Sequence, residues 1–523
     1  MRFPNPIYGP VEPSSQVRNP EPGSPRETLM LGSAGFSLEA RVARSIFWLA
    51  WSRGVLQLLS FATTILVARI LVPADYGVMA LASVFTGIAA MLTEMGLGRA
   101  IVQFRDLDRR ELDTCFWIIM TLAMIAFAML SLGASIIARW FGVPRLAEVL
   151  PVMVMVLPLT ACSIVSDSLL RKRLALDRIS QAEIIGGVVA LPVTLGCALS
   201  GLGVWALVVG SLASFAARSV ATFAFAPWFP GLRVGGGRAR EVLDFSLTTL
   251  GVDLLWALRE HADVLVIGKI TGQVSVGLYS MAKDLALLPT NKISTAVNLL
   301  SSPMMAELQT DVDRMRAMFY RAVRVTAAIA IPTSVGMALV ADDIVAVLLG
   351  AKWLPSVPIL RLLSLYAAVR SFDVLLAPVL FARRRQRFLF WYCLALLVVV
   401  PAVTALGAVW DGAAGAVEFF TPVYCGLMAI LTKEALAELK GSFLELWSKT
   451  WPILAATAAM ALFVFLLREF ALGAVPEPRL VELVLLSVSG AATYAAALFT
   501  VGRSVIGEGT QVVGWILRRQ AAD

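Results

Sequence analysis

Apolar residues run along this chain in long unbroken blocks rather than on one face of short elements. Blocks long enough to cross a bilayer lie at 45–70, 76–101, 114–138, 148–170, 181–200 and 202–227. After a break, others follow at 245–267, 275–302, 318–341, 357–381, 388–410, 412–432, 450–468 and 480–502. A transmembrane helix needs about 20 largely apolar residues. The pattern therefore predicts an all-α polytopic membrane protein of about 14 transmembrane helices. Aromatic residues mark several block ends, among them Trp140-Phe141, Trp228-Phe229, Trp391-Tyr392, Trp410 and Trp451. That placement suits the bilayer interfaces.

Composition agrees, with 59% hydrophobic and only 15% charged residues, against about 25% charged in soluble domains. No segment between the blocks is long enough for an ordinary soluble core. Residues 1–40 stand apart, rich in proline, with no apolar stretch of the kind a secretory signal needs. They read as a disordered cytoplasmic tail, with Met30 as an alternative start. The five cysteines all fall in apolar segments with no close pair, as small hydrophobes do. A single histidine leaves no His-rich metal site, and nothing calls for a cofactor.

Charge placement orients the chain. The N-terminal tail, the even-to-odd turns with the block ends beside them and the C-terminal tail carry 29 Lys and Arg, and the opposite turns with their block ends carry six. By the positive-inside rule both termini are cytoplasmic. The same distribution accounts for the net charge of +8 without invoking nucleic acid.

A shift of 200 superimposes Ala62, Arg69, Ile70 and Gly77 on Ala262, Lys269, Ile270 and Gly277. The Pro/Gly-rich stretch 228–239 divides the chain where two six-span halves would meet. These expectations give an N-lobe at 41–230, a C-lobe at 231–440, two added helices at 441–502 and a cytoplasmic tail at 503–523. Halves that begin on the same side are parallel repeats, an arrangement found in transporters.

Charges inside the apolar blocks are expensive and usually face a cavity or a partner. Arg53 and Glu94 lie at matched depth in adjacent spans, either as a structural pair or as cavity residues. Span seven carries Asp253 and then Arg259, Glu260, His261 and Asp263, with Arg259 and Asp263 one helical turn apart. Span eight carries Lys283, Asp284, Asn291 and Lys292, with Pro289 expected to kink or unwind it. In span ten Arg370 sits near the midplane with Asp373 placed to shield it. Arg69, Arg99 and Arg218 lie nearer the ends and are expected to snorkel. Nine Lys or Arg remain within the blocks beyond those counted with the turns and tails. A cavity rich in cations suits a phosphate or diphosphate.

The string Ala68-Arg69-Ile70-Leu71-Val72-Pro73-Ala74-Asp75-Tyr76-Gly77 resembles the first outer turn of Wzx-type oligosaccharide flippases. Val276-Gly277-Leu278-Tyr279-Ser280 resembles its counterpart in the second half, and Arg171 to Leu176 and Leu348 to Trp353 resemble further family segments. The likeness runs from about 41 to 500. It implies the multidrug, oligosaccharidyl-lipid and polysaccharide exporter superfamily, with two six-helix bundles related by pseudo-twofold symmetry and two extra helices. By that resemblance the substrate is an undecaprenyl-diphosphate-linked oligosaccharide, flipped across the bacterial inner membrane by alternating access for exopolysaccharide or lipopolysaccharide synthesis. Arg53, Arg259, Lys283, Lys292 and Arg370 would meet the family's cationic lumen.

The resemblance also implies membrane lipids, a polymerase and other export machinery as partners. Proton or Na⁺ coupling through Glu94, Asp263 or Asp284 is compatible with these positions. An anion leaving an inside-negative cell gains about 2.3 kcal/mol per charge per 100 mV. The rival readings are a multidrug exporter and a lipid-linked peptidoglycan precursor flippase. A membrane glycosyltransferase or polymerase is a third, but no outer turn is long enough for a catalytic loop, so the chain is read as no enzyme.

Overall fold

The computed structural model describes residues 59–104, 107–232, 235, 239–472 and 479–502, with Gly54 and Leu56. Both expected tails, 1–40 and 503–523, lie outside the described residues. Among those described, every regular element is a helix. The first half comprises α1 (Leu59–Ile70), α2 (Pro73–Glu94), α3 (Leu97–Gln103), α4 (Arg109–Phe141) and α5 (Leu146–Met153). It continues through α6 (Val156–Ala161), α7 (Ile164–Lys172), α8 (Leu176–Leu199) and α9 (Val204–Phe225). The second half holds α10 (Ala239–Glu307), α11 (Val312–Leu339), α12 (Ala341–Ile344), α13 (Val357–Arg370), α14 (Asp373–Ala382) and α15 (Gln386–Glu438). Two further helices follow, α16 (Phe443–Leu466) and α17 (Arg479–Val501).

Ten of these helices are long and apolar enough to cross a membrane, or eleven if the bent run from Leu146 to Lys172 counts. The number of passes is larger, because α10 and α15 each reverse. In α10 the ammonium of Lys283 lies 2.7 Å from the Asp263 carboxylate, although 20 residues of straight helix would separate them by about 30 Å. The reversal is at Gly272, the one residue of α10 outside helical angles (φ 81°, ψ −177°). Glycine alone reaches that conformation cheaply. In α15 the turn falls at Asp411 and Gly412, and Gly407 and Gly415 then face each other so closely that neither could carry a side chain. The full count of fourteen is not reached among the described residues, because only the last part of the first expected span lies within them.

Two passes are broken. The fourth runs as α5, α6 and α7, with Pro151 and Pro158 inside it and a 46° bend at the Cys162–Ser163 break. The tenth breaks between α13 and α14, at Ser371 and Phe372. Broken helices persist at membrane depth where they line protein or water-filled space. Two expectations change here. Span two ends at Glu94 instead of running to 101, because Met95 and Gly96 both turn left-handed (φ 48° and 69°). Pro289 does not unwind span eight, which keeps helical backbone angles through it.

The turns rich in Lys and Arg gather at one end of the bundle, called the basic end below; the other is the far end. At the far end the two halves close on each other. A Cβ on Gly77 would stand 1.7 Å from the Gln273 carbonyl oxygen, and one on Gly277 would stand 1.8 Å from that of Pro73. Each contact is the other shifted by 200 residues, as a twofold relation requires. Around this seam Trp353, wholly buried, donates from Nε1 to the Ala68 carbonyl at 2.9 Å and stacks edge-on with Tyr76. Lys352 caps the end of α1 through the carbonyls of Arg69 and Ile70 (2.8 and 2.9 Å). Arg69 reaches across to the carbonyls of Val347 and Leu348, and Lys269 to that of Trp140, whose ring it also covers at 4.6 Å. Arg69 therefore bridges the halves instead of snorkelling into lipid.

Orientation is checked by labelling. Cysteines placed at 172 and 384, at the basic end, are expected to react with impermeant maleimide only from the cytoplasm, and one at 352 only from the opposite side. Labelling of 172 or 384 from outside would reverse the charge-based topology.

Candidate functional site

The polar centre of the second half is assembled by the reversal at Gly272 and the break after Arg370. The outgoing arm of α10 brings Arg259, Glu260 and Asp263, and its returning arm brings Tyr279 and Lys283 to the same depth. Lys283 pairs with Asp263 at 2.7 Å and also donates to the Glu260 carbonyl at 3.0 Å. The Tyr279 hydroxyl donates to the same Asp263 oxygen at 2.5 Å. Arg370 donates to both oxygens of the Glu260 carboxylate at 2.9 and 2.8 Å. Arg259 pairs with Asp373 at 3.3 Å and lies 4.3 Å over the Trp256 ring. Tyr366, Tyr424 and Phe420 stack around the group, with centroids 4.8 and 5.1 Å from Tyr366.

Three cations thus meet three carboxylates in a mostly desolvated setting. Pairs of this kind add little net stability, but leaving one member alone costs several kcal/mol. One donor stays unused: Arg259 Nε is buried without an acceptor. Its guanidinium forms part of the wall of a cavity of about 640 Å³ that Trp256, Asn291, Arg370, Asp373 and Phe381 also line.

A second cavity, of about 540 Å³, lies in the first half. The broken fourth pass lines it, as the broken tenth pass lines the one above. Its charged residues are Glu94, Arg99, Asp167, Arg171 and Arg218. Arg171 pairs with Asp167 at 2.6 Å, and Arg218 reaches Glu183 at 3.4 Å and Asp167 at 3.8 Å. A third space, about 490 Å³ and nearly all apolar, lies between α11, α13–α14, α15 and α16, walled by Phe319, Phe372, Leu376, Met428 and Phe443.

The structure gathers Arg259, Asp263, Lys283 and Arg370 into one cluster and puts Asn291 on the adjoining cavity. It changes their partners. Arg370 takes Glu260 and not Asp373, because the break between α13 and α14 removes the one-turn register. Lys283 takes Asp263 and not its neighbour Asp284, which is exposed. Lys292 is exposed and outside the cavity linings. Glu94 sits in the first-half cavity, away from the cluster. Arg53 lies outside the described residues, as does the side chain of Asp253, and the expected Arg53–Glu94 pair lies outside them with it. Arg99 and Arg218 line the first-half cavity and do not snorkel. Glu260, Tyr279 and Asp373 complete the cluster without having been singled out as cavity residues; Glu260, between Arg259 and His261 in the least apolar span, carried the clearest signal. Among the described residues no three His, Cys, Asp or Glu side chains are placed to hold a metal ion.

A family model described as polysaccharide biosynthesis protein matches residues 66–358. The chain is 24% identical over 470 residues to the succinoglycan biosynthesis transport protein ExoT of Rhizobium meliloti (strain 1021), covering 89% of this chain and 94% of that one. It is 22% identical over 386 residues to the lipopolysaccharide biosynthesis protein WzxC of Escherichia coli (strain K12), covering 72% and 77%. Among solved structures, the lipid II flippase MurJ in an inward closed conformation superposes with a TM-score of 0.71 at 12% identity, over 88% of this chain and 99% of that one. An inward-facing MATE family multidrug resistance transporter gives 0.59 at 15% identity, over 74% and 94%. At such identities the superpositions speak for the fold alone.

Proposed function

This chain belongs to the polysaccharide biosynthesis protein family, and on that premise we propose that it flips an undecaprenyl-diphosphate-linked oligosaccharide from the cytoplasmic to the outer leaflet of a bacterial inner membrane. It does so as a transporter and not as an enzyme. The observation that carries the reading is Arg259, a cation on the wall of a cavity of about 640 Å³ with a buried donor that nothing in the protein accepts. A diphosphate oxygen would take that donor once the guanidinium turns into the cavity, where Arg370 stands on the same wall. A guanidinium suits phosphate because it presents donors in a planar fork. The polyprenyl chain would stay in the apolar space on the opposite face of the same broken pass, where Phe372 and Leu376 point.

Closure at the far end supports alternating access from the basic end. A multidrug exporter for organic cations fits less well, because such a cavity wants carboxylates in excess, and each carboxylate of this cluster is matched by a cation.

The test is the double substitution Arg370→Gln with Glu260→Gln, which removes both charges of one pair and so leaves no lone buried ion. We expect normal amounts of protein in the membrane, polysaccharide export reduced at least tenfold, and lipid-linked oligosaccharide retained on the cytoplasmic side. Wild-type export from that variant would overturn the phosphate role of Arg370.

A further inference from the structure

The two cavities occupy equivalent places, each lined by the broken fourth pass of its half, yet their walls differ in chemistry. The second-half wall has a single hydroxyl, that of Ser294, together with a tryptophan and two arginines, each paired with a carboxylate, one of them keeping a donor without an acceptor. The first-half wall is different. Thr160, Ser163, Ser168, Ser219 and Thr222 line it beside Arg99, Arg171 and Arg218; Arg171 pairs with Asp167 and Arg218 with Glu183 and Asp167. Hydroxyls both donate and accept, and paired guanidinium and carboxylate groups expose both kinds of partner along one surface. Such a wall matches a polyol, which also needs donors and acceptors in alternation.

From this contrast in hydroxyl content we infer that the first-half cavity holds the glycan of the substrate, as a hydroxyl-rich oligosaccharide, while the second-half cavity holds the diphosphate. The inference rests on the flippase reading above and divides the substrate between the halves. At about 540 Å³ the cavity lies within the usual range of about 300–1,000 Å³ for small-molecule sites. Local packing keeps the wall in place. Ser163 and Ser219 join the start of α7 to α9 through a 3.1 Å hydroxyl contact, and Ser219 also donates to the Leu159 carbonyl at 3.3 Å. Gly98 has no side chain where one would meet the Glu94 carboxylate at 2.7 Å, so that carboxylate keeps its place on the wall.

The experiment separates glycan from diphosphate. Arg218→Met removes the bridging guanidinium, and Ser219→Leu fills the cavity. Export of the cell's own polysaccharide is measured at matched membrane amounts, and bare undecaprenyl diphosphate is titrated into the purified full chain in nanodiscs, with tryptophan fluorescence as the signal. Both variants are expected to lose export at least tenfold while binding the bare lipid within twofold of the parent. Arg218→Lys, which can still pair, is expected to recover at least half of the export. The Arg370→Gln, Glu260→Gln variant is expected to lose the bare lipid. A parallel loss of bare-lipid binding in Arg218→Met and Ser219→Leu would overturn the division, and so would unchanged export. A parent protein that ignores bare undecaprenyl diphosphate would instead defeat the flippase reading itself.

Discussion

Leucine at position 277 is expected to reduce export at least 100-fold and to leave the far end of the protein open. The Gly277 Cβ position lies 1.8 Å from a backbone oxygen of α2, so no rotamer relieves the collision. Overpacking against side chains typically costs about 1–3 kcal/mol; against backbone the helices must part. Parting them pulls Lys352 from the carbonyls of Arg69 and Ile70 and Trp353 from that of Ala68. Cysteines at 70 and 352 should therefore cross-link readily in the parent and poorly in Gly277→Leu. Gly77→Leu should behave alike, since its Cβ meets Gln273 in the reciprocal contact. Normal export together with normal cross-linking would show that the seam does not close the pathway.

Removing the Asp263 carboxylate should have the second-largest effect, and on stability first. Asp263 accepts from both Lys283 and Tyr279, and both partners are largely buried. Asp263→Ala leaves the Lys283 ammonium with the Glu260 carbonyl but without its ion-pair partner, and breaking a buried pair in this way costs about 3–5 kcal/mol. Gel filtration of the detergent extract should show little monodisperse protein. Adding Lys283→Met should restore most of it, because neutral replacement of a whole buried pair is close to neutral in energy. Export should stay below one-tenth, since the cluster would still lack a cation. Asp263→Ala that accumulates like the parent would mean that the Lys283 charge is reached by water.

The sequence made the membrane class, the helical passes and their approximate limits legible, because a bilayer imposes block lengths that hydropathy records directly. Family membership was legible from short strings at the far-end turns. Ion-pair partners were not. Neighbours in sequence, Lys283 with Asp284 and Arg370 with Asp373, looked like partners, but a reversal at one glycine and a break after one arginine put Asp263 and Glu260 there instead. Such pairings depend on which faces of separate helices meet, and that is set by packing. The arginines near block ends misled for a related reason. Depth alone places Arg218 at an interface, and only the bend in the fourth pass shows that it has a cavity to enter.

The glycine seam lies near one extremity of the helices it joins. From Gly277 to the end of α10 runs about 45 Å of helix toward the basic end, and back to Gly272 only about 7 Å, at 1.5 Å per residue. Treated as a lever, the returning arm has a ratio of about six to one. A slip of half an ångström at the seam becomes about 3 Å where the basic turns lie, so fine fit at the glycines governs coarse aperture at the opposite mouth.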